Sequence, residues 1–142
     1  MNSAATSQPD CPFCGIANGT ISCHRVYADA TVTVFLDKHP INPYHLLVIP
    51  NVHVPDFYDL DDATYAHVMQ VAKRMAIVLK DIAAPKKVGL VIAGFDVPHA
   101  HVHVLPMYEY HDITSRRYLE GTKASPDDAE LARNASEIRS AL

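Results

Sequence analysis

The stretch His99-Ala100-His101-Val102-His103-Val104 alternates three imidazoles with three small apolar residues. Strict alternation of this kind is typical of a β-strand whose two faces differ. It predicts that the three histidines share one face, with neighbouring rings about 6.5–7 Å apart, while the apolar residues face a core. A row of imidazoles indicates chemistry rather than a plain surface, because each ring that loses water needs a partner.

The composition is that of one globular domain. The chain has 142 residues, of which 49% are hydrophobic and 20% charged, and its formal net charge is −4. An acidic excess disfavours a general nucleic-acid surface, since phosphate contacts require basic patches, but it is compatible with a small nucleotide ligand. We expect no nucleic-acid partner.

The first ten residues, the lack of a long apolar run and the cysteines predict the cellular location and the domain limits. No apolar run approaches the ~20 residues of a membrane span, so no membrane association is expected. The first ten residues lack the pattern of a secretory signal, and the 3 cysteines are an odd number. These observations predict a cytoplasmic protein with a flexible tail over residues 1–10 and a single domain over residues 11–142.

The remaining periodicities predict an α+β fold with an antiparallel sheet, one long helix and a C-terminal helix. Strands are predicted over 24–28, 31–36, 46–49, 88–93 and 99–104, with Pro106 closing the last. A helix is predicted over 59–83, because its apolar residues fall on one stripe. A second helix is predicted to begin with Ser125 as its cap and Pro126 in its first turn, and its apolar stripe ends at Leu142.

Several motifs together resemble the histidine triad (HIT) family. His99 to Leu105 matches the family signature His-φ-His-φ-His-φ-φ, where φ is apolar. Three further segments and His53 stand in the family's order: Cys11-Pro-Phe-Cys14-Gly-Ile, Val34-Phe35-Leu36-Asp37 and Pro43-Tyr-His45-Leu-Leu-Val-Ile-Pro50. The resemblance covers residues 11–106. It implies a HIT-like, nucleotide-binding fold whose sheets are joined in a homodimer.

The resemblance implies that His101 is the nucleophile. It would attack the α-phosphorus of a nucleotide and form a nucleotidyl-histidine, which water then resolves. Neutral imidazole suits this role near pH 7, because covalent catalysis divides one difficult displacement into two easier ones. His103 is expected to donate a hydrogen bond to a phosphate oxygen, and His99 to orient its neighbours or to bind zinc.

Nucleotide binding is expected at the end of the second strand. The expected residues are Phe35, Asp37, Lys38 and His103. The resemblance makes Asp37 the acid that accepts hydrogen bonds from the ribose hydroxyls. The alternative for Asp37 is a plain cap at the end of a strand, a position that aspartate favours.

The Cys-x-x-Cys pair indicates a metal. Zn²⁺ prefers four ligands in a tetrahedron, and the resemblance completes a structural zinc site with the ligands Cys11, Cys14, His53 and His99. The alternatives are a redox pair or two buried thiols that only pack. A different arrangement, a catalytic metal held by all three triad histidines, fits poorly with rings spaced along one strand.

The turn before the triad departs from the family pattern. Many active members end the preceding strand with Asn and continue with a Gly-Gln-Ser/Thr turn, whose side chains hold phosphate and help to protonate the leaving group. Here Ala93 ends the strand, and Phe95 and Asp96 follow Gly94. Phe95 cannot bond a phosphate and an ionised Asp96 repels one, so we expect nucleotide binding with slow turnover. The alternative is that Asp96 is protonated and itself donates a proton to the leaving group.

The sequence therefore predicts a nucleotidyl hydrolase or transferase. The expected substrates are nucleoside phosphoramidates or other nucleoside phosphate-linked molecules. One alternative is a diadenosine polyphosphate hydrolase. The other is a weakly active nucleotide-binding regulatory module.

Overall fold

The computed structural model describes residues 7–113 and 125–142, and its strands form one antiparallel sheet. The strands are β1 (Arg25–Ala28), β2 (Val32–Leu36), β3 (Leu46–Pro50), β4 (Lys87–Val91) and β5 (Val102–Met107). They are arranged in the order β1-β2-β3-β5-β4, so the triad strand lies between β3 and β4. The predicted α+β architecture is confirmed.

In the described parts of the chain, three α-helices and two short 3₁₀ turns accompany the sheet. The helices are α1 (Pro12–Asn18), α2 (Asp62–Ala83) and α3 (Asp128–Ala141), and the 3₁₀ turns span Phe57–Asp59 and Tyr110–Asp112. No helix in the described parts of the chain is long and apolar enough to cross a membrane. Residues 1–6 of the predicted tail lie outside the described residues.

The sheet has a core on each face. One core joins α2 and α3 to the sheet through residues such as Val34, Val48, Met75 and Ile138. The other core is smaller. It joins Ile16 of α1 to Phe35 of β2 and to Leu47 and Ile49 of β3. Strands β2 and β3 are therefore buried along their whole length. The triad histidines lie beside this smaller core.

Both long helices begin later than the sequence predicted. Helix α2 begins at Asp62 rather than at residue 59, and α3 begins at Asp128 rather than at Pro126. The Asp61 side chain accepts a hydrogen bond from the Thr64 amide at 2.7 Å, so Asp61 is the cap of α2. The Asp127 side chain accepts from the Glu130 amide at 2.8 Å, so the prediction that Ser125 caps α3 was wrong. Aspartate accepts this bond as well as serine does, and its charge also favours the helix N-terminus. The predicted stripe also ends earlier, because Leu142 is exposed.

The triad strand begins later than predicted. Strand β5 starts at Val102, and residues 99–101 are not part of the ladder. His99 and His101 therefore precede the ladder, although the His101 and His103 rings remain neighbours with centroids 5.1 Å apart. Pro106 lies within β5 rather than closing it, and β4 ends at Val91 rather than Ala93. The prediction of one regular histidine strand was wrong in this respect.

The buried face of α2 should contribute more to the free energy of unfolding than its exposed face. Met75 has no exposed surface, whereas Ile77, two residues along the same helix, is 56% exposed. We expect Met75→Ala to lower the free energy of unfolding by about 2–5 kcal/mol, because it leaves a cavity in the core. The matched variant Ile77→Ala should change it by less than about 0.5 kcal/mol. Urea denaturation measures both, and equal losses would contradict this assignment of the core.

Candidate functional site

The His101 ring is held in one tautomer by the backbone of its own loop. Its Nδ1 lies 2.7 Å from the carbonyl oxygen of His99. A carbonyl only accepts hydrogen bonds, so Nδ1 carries the proton and Nε2 keeps its lone pair. Phe13 of α1 packs edge-on against the ring, with centroids 5.1 Å apart. The nucleophilic nitrogen predicted for His101 is thus available and oriented.

A chain of hydrogen bonds sets the tautomer of His103. The Ile41 amide donates to His45 Nδ1 at 3.1 Å, so His45 carries its proton on Nε2. That nitrogen lies 2.9 Å from His103 Nδ1 and donates to it. His103 Nδ1 therefore accepts, and the His103 proton resides on Nε2. His103 thus has an N–H donor, as its predicted contact with a phosphate oxygen requires.

His103 is neutral at physiological pH. Burial, with further contributions from His45 and His101, lowers the pKa of His103 to about 4, although the Asp37 and Asp96 carboxylates act in the opposite direction. An uncharged ring fits the hydrogen-bond chain, because a protonated His103 has no acceptor left at Nδ1. His103 thus presents a neutral N–H donor to the pocket rather than a cation.

His101 and His103 open into a common pocket. Their ring centroids are 5.1 Å apart, and both line a pocket of about 140 Å³. Its other lining residues are Ile41, His45, Val91, Ala93, Gly94, Phe95, Asp96, Leu105 and Ile113. The altered turn therefore does border the candidate site.

Of the residues expected to bind the nucleotide, His103 lines this pocket, whereas Asp37, Phe35 and Lys38 do not. The Asp37 carboxylate lies 3.8 Å from His45 Nε2, beside the histidine chain, and also accepts the His39 amide at 2.8 Å. Phe35 is only 3% exposed and packs edge-on against Phe13, so its ring belongs to the small core. Lys38 is exposed and is not among the residues lining the pocket.

The four predicted metal ligands come together. The ligand atoms of Cys11, Cys14, His53 and His99 all lie within 4.8 Å of one another. Cys14 Sγ is 3.2 Å from His53 Nδ1 and 3.5 Å from His99 Nδ1, and Cys11 Sγ is 3.4 Å from His99 Nδ1. A tetrahedral zinc ion with these ligands requires sulfur and nitrogen to be about 3.6 Å apart. The residues fit zinc.

Hydrogen bonds and burial determine which atoms of this group carry protons. His99 Nε2 donates to the Pro50 carbonyl at 2.8 Å, which leaves Nδ1 unprotonated and facing the sulfurs. Burial lowers the pKa of His99 and raises the pKa of the Cys11 thiol, so without a metal both remain uncharged. A cation in their midst would favour the thiolate. Backbone amides of Gln8 and Cys14 approach Cys14 Sγ and Cys11 Sγ, at 3.3 and 3.4 Å.

The three triad rings do not converge on one ion. His99 faces the cysteines, and among the described residues the groups able to hold a metal never combine all three triad histidines. A second such group contains Asp37, His45 and His103, but the hydrogen bond between its two imidazoles already explains its closeness. Cys23 is outside both groups.

Two residues that contact the triad rings were not assigned a role from the sequence. His45 lies in the segment Pro43–Pro50, directly before a buried strand, and this position is the sequence feature that could have marked it. Phe13 lies inside the Cys-x-x-Cys pair, and no periodicity marks it. Each acts by contacting a triad ring, a relation that only the folded chain creates.

The comparison with known families agrees with this geometry. A model of the HIT domain matches residues 18–110. The chain belongs to the HIT family. One relative of this HIT chain, an uncharacterized 16.1 kDa HIT-like protein from Mycoplasma pneumoniae, is 35% identical over 105 residues, which span 70% of this chain and 73% of that protein.

Two further similarities of the HIT chain bear on chemistry. The crystal structure of a zinc-bound histidine triad family protein from Mycobacterium smegmatis superposes with a TM-score of 0.77 at 27% identity, covering 93% of this chain and 92% of that one. An adenylylsulfatase from Arabidopsis thaliana is 26% identical over 111 residues, 75% of this chain and 56% of that protein.

The metal group leads to a direct prediction. Protein purified without chelator should contain about one zinc ion per chain, and chelation should lower its melting temperature, because metal binding contributes folding free energy. Cys14→Ser should lose the metal, whereas Cys23→Ser, outside the group, should retain it. Elemental analysis and thermal melts measure both. Zinc-free protein with intact thiols would exclude the site.

The depressed pKa of His103 predicts a pH dependence of stability. Between pH 6.5 and about 4 the unfolded chain binds a proton at this residue and the folded chain does not. The free energy of unfolding should therefore fall as pH drops through this window, by at most about 1.4 kcal/mol per pH unit for this one group. His103→Asn should have a shallower slope in urea titrations from pH 7 to 4.5. Equal slopes would contradict the assignment.

Proposed function

We propose that this HIT protein is a nucleotidyl hydrolase or transferase that works through a nucleotidyl-histidine on His101. Its substrates are nucleoside phosphoramidates or other molecules in which a nucleoside monophosphate is linked through phosphorus to a leaving group. The observation that carries the proposal is the hydrogen bond from His101 Nδ1 to the His99 carbonyl, which leaves Nε2 unprotonated beside the pocket.

In the first step the His101 Nε2 lone pair attacks the α-phosphorus. The bond from phosphorus to the leaving group breaks, and its electron pair departs with the leaving group. The His101 ring becomes cationic, and the His99 carbonyl stabilises this charge because it already accepts the Nδ1 proton. His103 Nε2–H donates to a non-bridging phosphate oxygen as charge develops there.

In the second step a water oxygen attacks the same phosphorus. The bond between phosphorus and Nε2 breaks, its electrons return to the ring, and the water proton passes to solvent. An alcohol or amine in place of water gives transfer instead of hydrolysis. The ring is cationic only while the nucleotide is attached, so it is a good leaving group in this step.

The Cys11, Cys14, His53 and His99 group contributes structure to this mechanism. A zinc ion with these four ligands has no open position, so it would supply a rigid crosslink rather than Lewis-acid chemistry. The ligands come from α1, the loop after β3 and the loop before β5. The crosslink would hold Phe13 against His101 and the His99 carbonyl in place.

One relative bears on the transferred group, and two alternative functions use the same pocket. The relative named as an adenylylsulfatase favours an adenylyl group as the portion transferred. A diadenosine polyphosphate hydrolase would place a polyanionic leaving group in the pocket that Asp96 lines. A nucleotide-binding regulatory module with slow turnover is favoured by Ala93 and Phe95, which provide no polar side chain to the leaving-group side.

We also propose that two copies associate through β4. It is an edge strand of the sheet, so its outer hydrogen-bonding groups are available to a second chain. Leu90 in this strand is 39% exposed, an apolar side chain that a partner would cover. Such a homodimer in the cytoplasm, with a small nucleotide substrate and no nucleic-acid or membrane partner, completes the proposal.

Removing the nucleophile tests the proposed chemistry. His101→Asn should lower the turnover of adenosine 5′-phosphoramidate at least about 10³-fold while leaving AMP binding within about threefold, because the ring acts on the transition state. His67→Gln, on α2, is the matched control and should retain turnover. Release of AMP measures the rate, and mass spectrometry of acid-sensitive adducts should find adenylyl on His101 only. Retention of most of the turnover by His101→Asn would exclude the covalent mechanism.

A further inference from the structure

The turn before β3 contains a tyrosine in a conformation that residues with side chains rarely adopt. The His45 amide donates to the Asn42 carbonyl at 3.3 Å, which closes a tight turn with Pro43 and Tyr44 at its centre. Tyr44 has a φ of 71°, in the left-handed region, and only one other non-glycine residue of the described chain has a positive φ. Glycine or asparagine usually follows proline in such a turn, because a larger side chain crowds the backbone there. The turn is therefore held against the preference of its own residue.

This turn bears on the candidate site because it folds the Ile41 amide onto the His45 ring. The amide donates to His45 Nδ1 at 3.1 Å, and His45 Nε2 lies 2.9 Å from His103 Nδ1. Without the amide, either nitrogen of His45 can carry the proton. If Nδ1 carried it, His45 would accept from His103, and His103 would present a lone pair to the pocket instead of an N–H donor. The conformation of the turn therefore selects the direction of the hydrogen-bond chain.

Two side chains tie the turn to the rest of the fold. Asn42 Nδ2 donates to the Pro106 carbonyl of β5 at 2.9 Å, and the Tyr44 hydroxyl donates to Glu137 Oε1 of α3 at 2.7 Å. The hydrogen bond to Glu137, followed by burial, raises the pKa of Tyr44 to about 12, so the hydroxyl keeps the proton that it donates. The Tyr44 ring also packs against the larger core. Contacts of the tyrosine side chain thus offset its disfavoured backbone conformation.

Helix α3 is a firm anchor for the contact with Tyr44. Ile138, the residue after Glu137, has no exposed surface and belongs to the larger core. Arg139 donates from Nη1 to the Arg25 carbonyl of β1 at 2.6 Å. The part of the helix backbone that carries Glu137 is therefore held against the sheet.

We propose that Tyr44 is a positioning residue, whose contact with Glu137 keeps the turn closed. The closed turn makes His45 donate to His103, and His103 in turn donates through Nε2 to the substrate phosphate. Tyr44 is not among the described residues that line the pocket, so it acts through His45. The C-terminal helix thereby helps to determine which nitrogen of a triad ring carries the proton. The direction of the hydrogen bonds is independent of any reaction, whereas the effect on turnover rests on the proposed function.

Nuclear magnetic resonance of the imidazole nitrogens tests this role. Two-bond correlations between ring protons and nitrogens, in zinc-loaded full-length protein with isotope-labelled histidine, show which nitrogen of each ring is protonated. Tyr44→Phe and Glu137→Ala break the contact, whereas Glu137→Gln keeps an acceptor oxygen. Tyr44→Gly removes the side chain together with the backbone strain. Tyr58→Phe is the matched control, because Tyr58 is 72% exposed and lies outside the turn.

The wild type should have the His103 proton on Nε2. Tyr44→Phe and Glu137→Ala should raise the population of the Nδ1–H form of His103 about threefold to tenfold, because the turn loses a charge-assisted hydrogen bond. Glu137→Gln and Tyr58→Phe should match the wild type. Tyr44→Gly should also keep the wild-type tautomer, since glycine adopts this turn without strain, although its melting temperature should fall with the loss of the packed ring.

Turnover should follow the tautomer. The kcat for adenosine 5′-phosphoramidate should fall about threefold to tenfold in Tyr44→Phe and Glu137→Ala, with KM within about twofold, because the His103 N–H acts mainly on the transition state. Tyr44→Gly, Glu137→Gln and Tyr58→Phe should keep the wild-type kcat. A general loss of stability would instead lower activity in the order of the melting temperatures.

A wild-type His103 tautomer in Tyr44→Phe and Glu137→Ala would overturn the positioning role. An equal shift of the tautomer in Tyr44→Gly and Tyr44→Phe would also overturn it, because relief of strain would then make no difference. Glu137→Ala changes an exposed side chain, so it gives the same test if Tyr44→Phe folds poorly. If the tautomer shifts as expected but the wild type forms no adenylyl-His101 adduct, the positioning role stands and the proposed function fails.

Discussion

The geometry of the candidate site depends on His99. Its ring nitrogen Nδ1 faces the two cysteine sulfurs, its Nε2 donates to the Pro50 carbonyl, and its own carbonyl accepts the His101 proton. A proposed metal ligand and the orientation of the His101 ring are thus joined through a single residue with no exposed surface. A shift of the His99 backbone would move the acceptor that determines the His101 tautomer. The cysteine and histidine group and the His101 ring therefore form one structural unit.

The sheet supports this unit because both of its faces are covered near the site. The larger core behind the sheet holds β5 between its neighbours, and the smaller core in front brings α1 and Phe13 to the triad. Helix α1 has only seven residues and would not be stable by itself. Its docking through an apolar cluster, together with the contacts of Cys11 and Cys14 to His99 and His53, explains how so short a helix contributes a contact to the His101 ring.

Much of this could be predicted from the sequence. The β-rich run of β2, the continuous apolar run of β3 and the apolar stripe of α2 are local patterns, so these elements were found with their approximate limits. The Cys11, Cys14, His53 and His99 group followed from the motifs that carry the family resemblance. The break at residues 99–101 was not predictable, because alternation specifies which side chains share a face but not whether the backbone forms ladder bonds. His45 and Phe13 could not be assigned either, since their roles depend on contacts between segments distant in the chain.

The hydrogen-bond chain through His45 has a consequence for proton traffic. It begins at the Ile41 amide, a group that does not release its proton at any pH compatible with a folded protein. The Ile41 end of the chain therefore supplies no proton to His103. In the proposed reaction the ring would act as a fixed dipole whose Nε2–H points toward a phosphate oxygen, rather than as a conduit that shuttles protons. The protons of that reaction would enter and leave through the mouth of the pocket, beside the turn at residues 94–96.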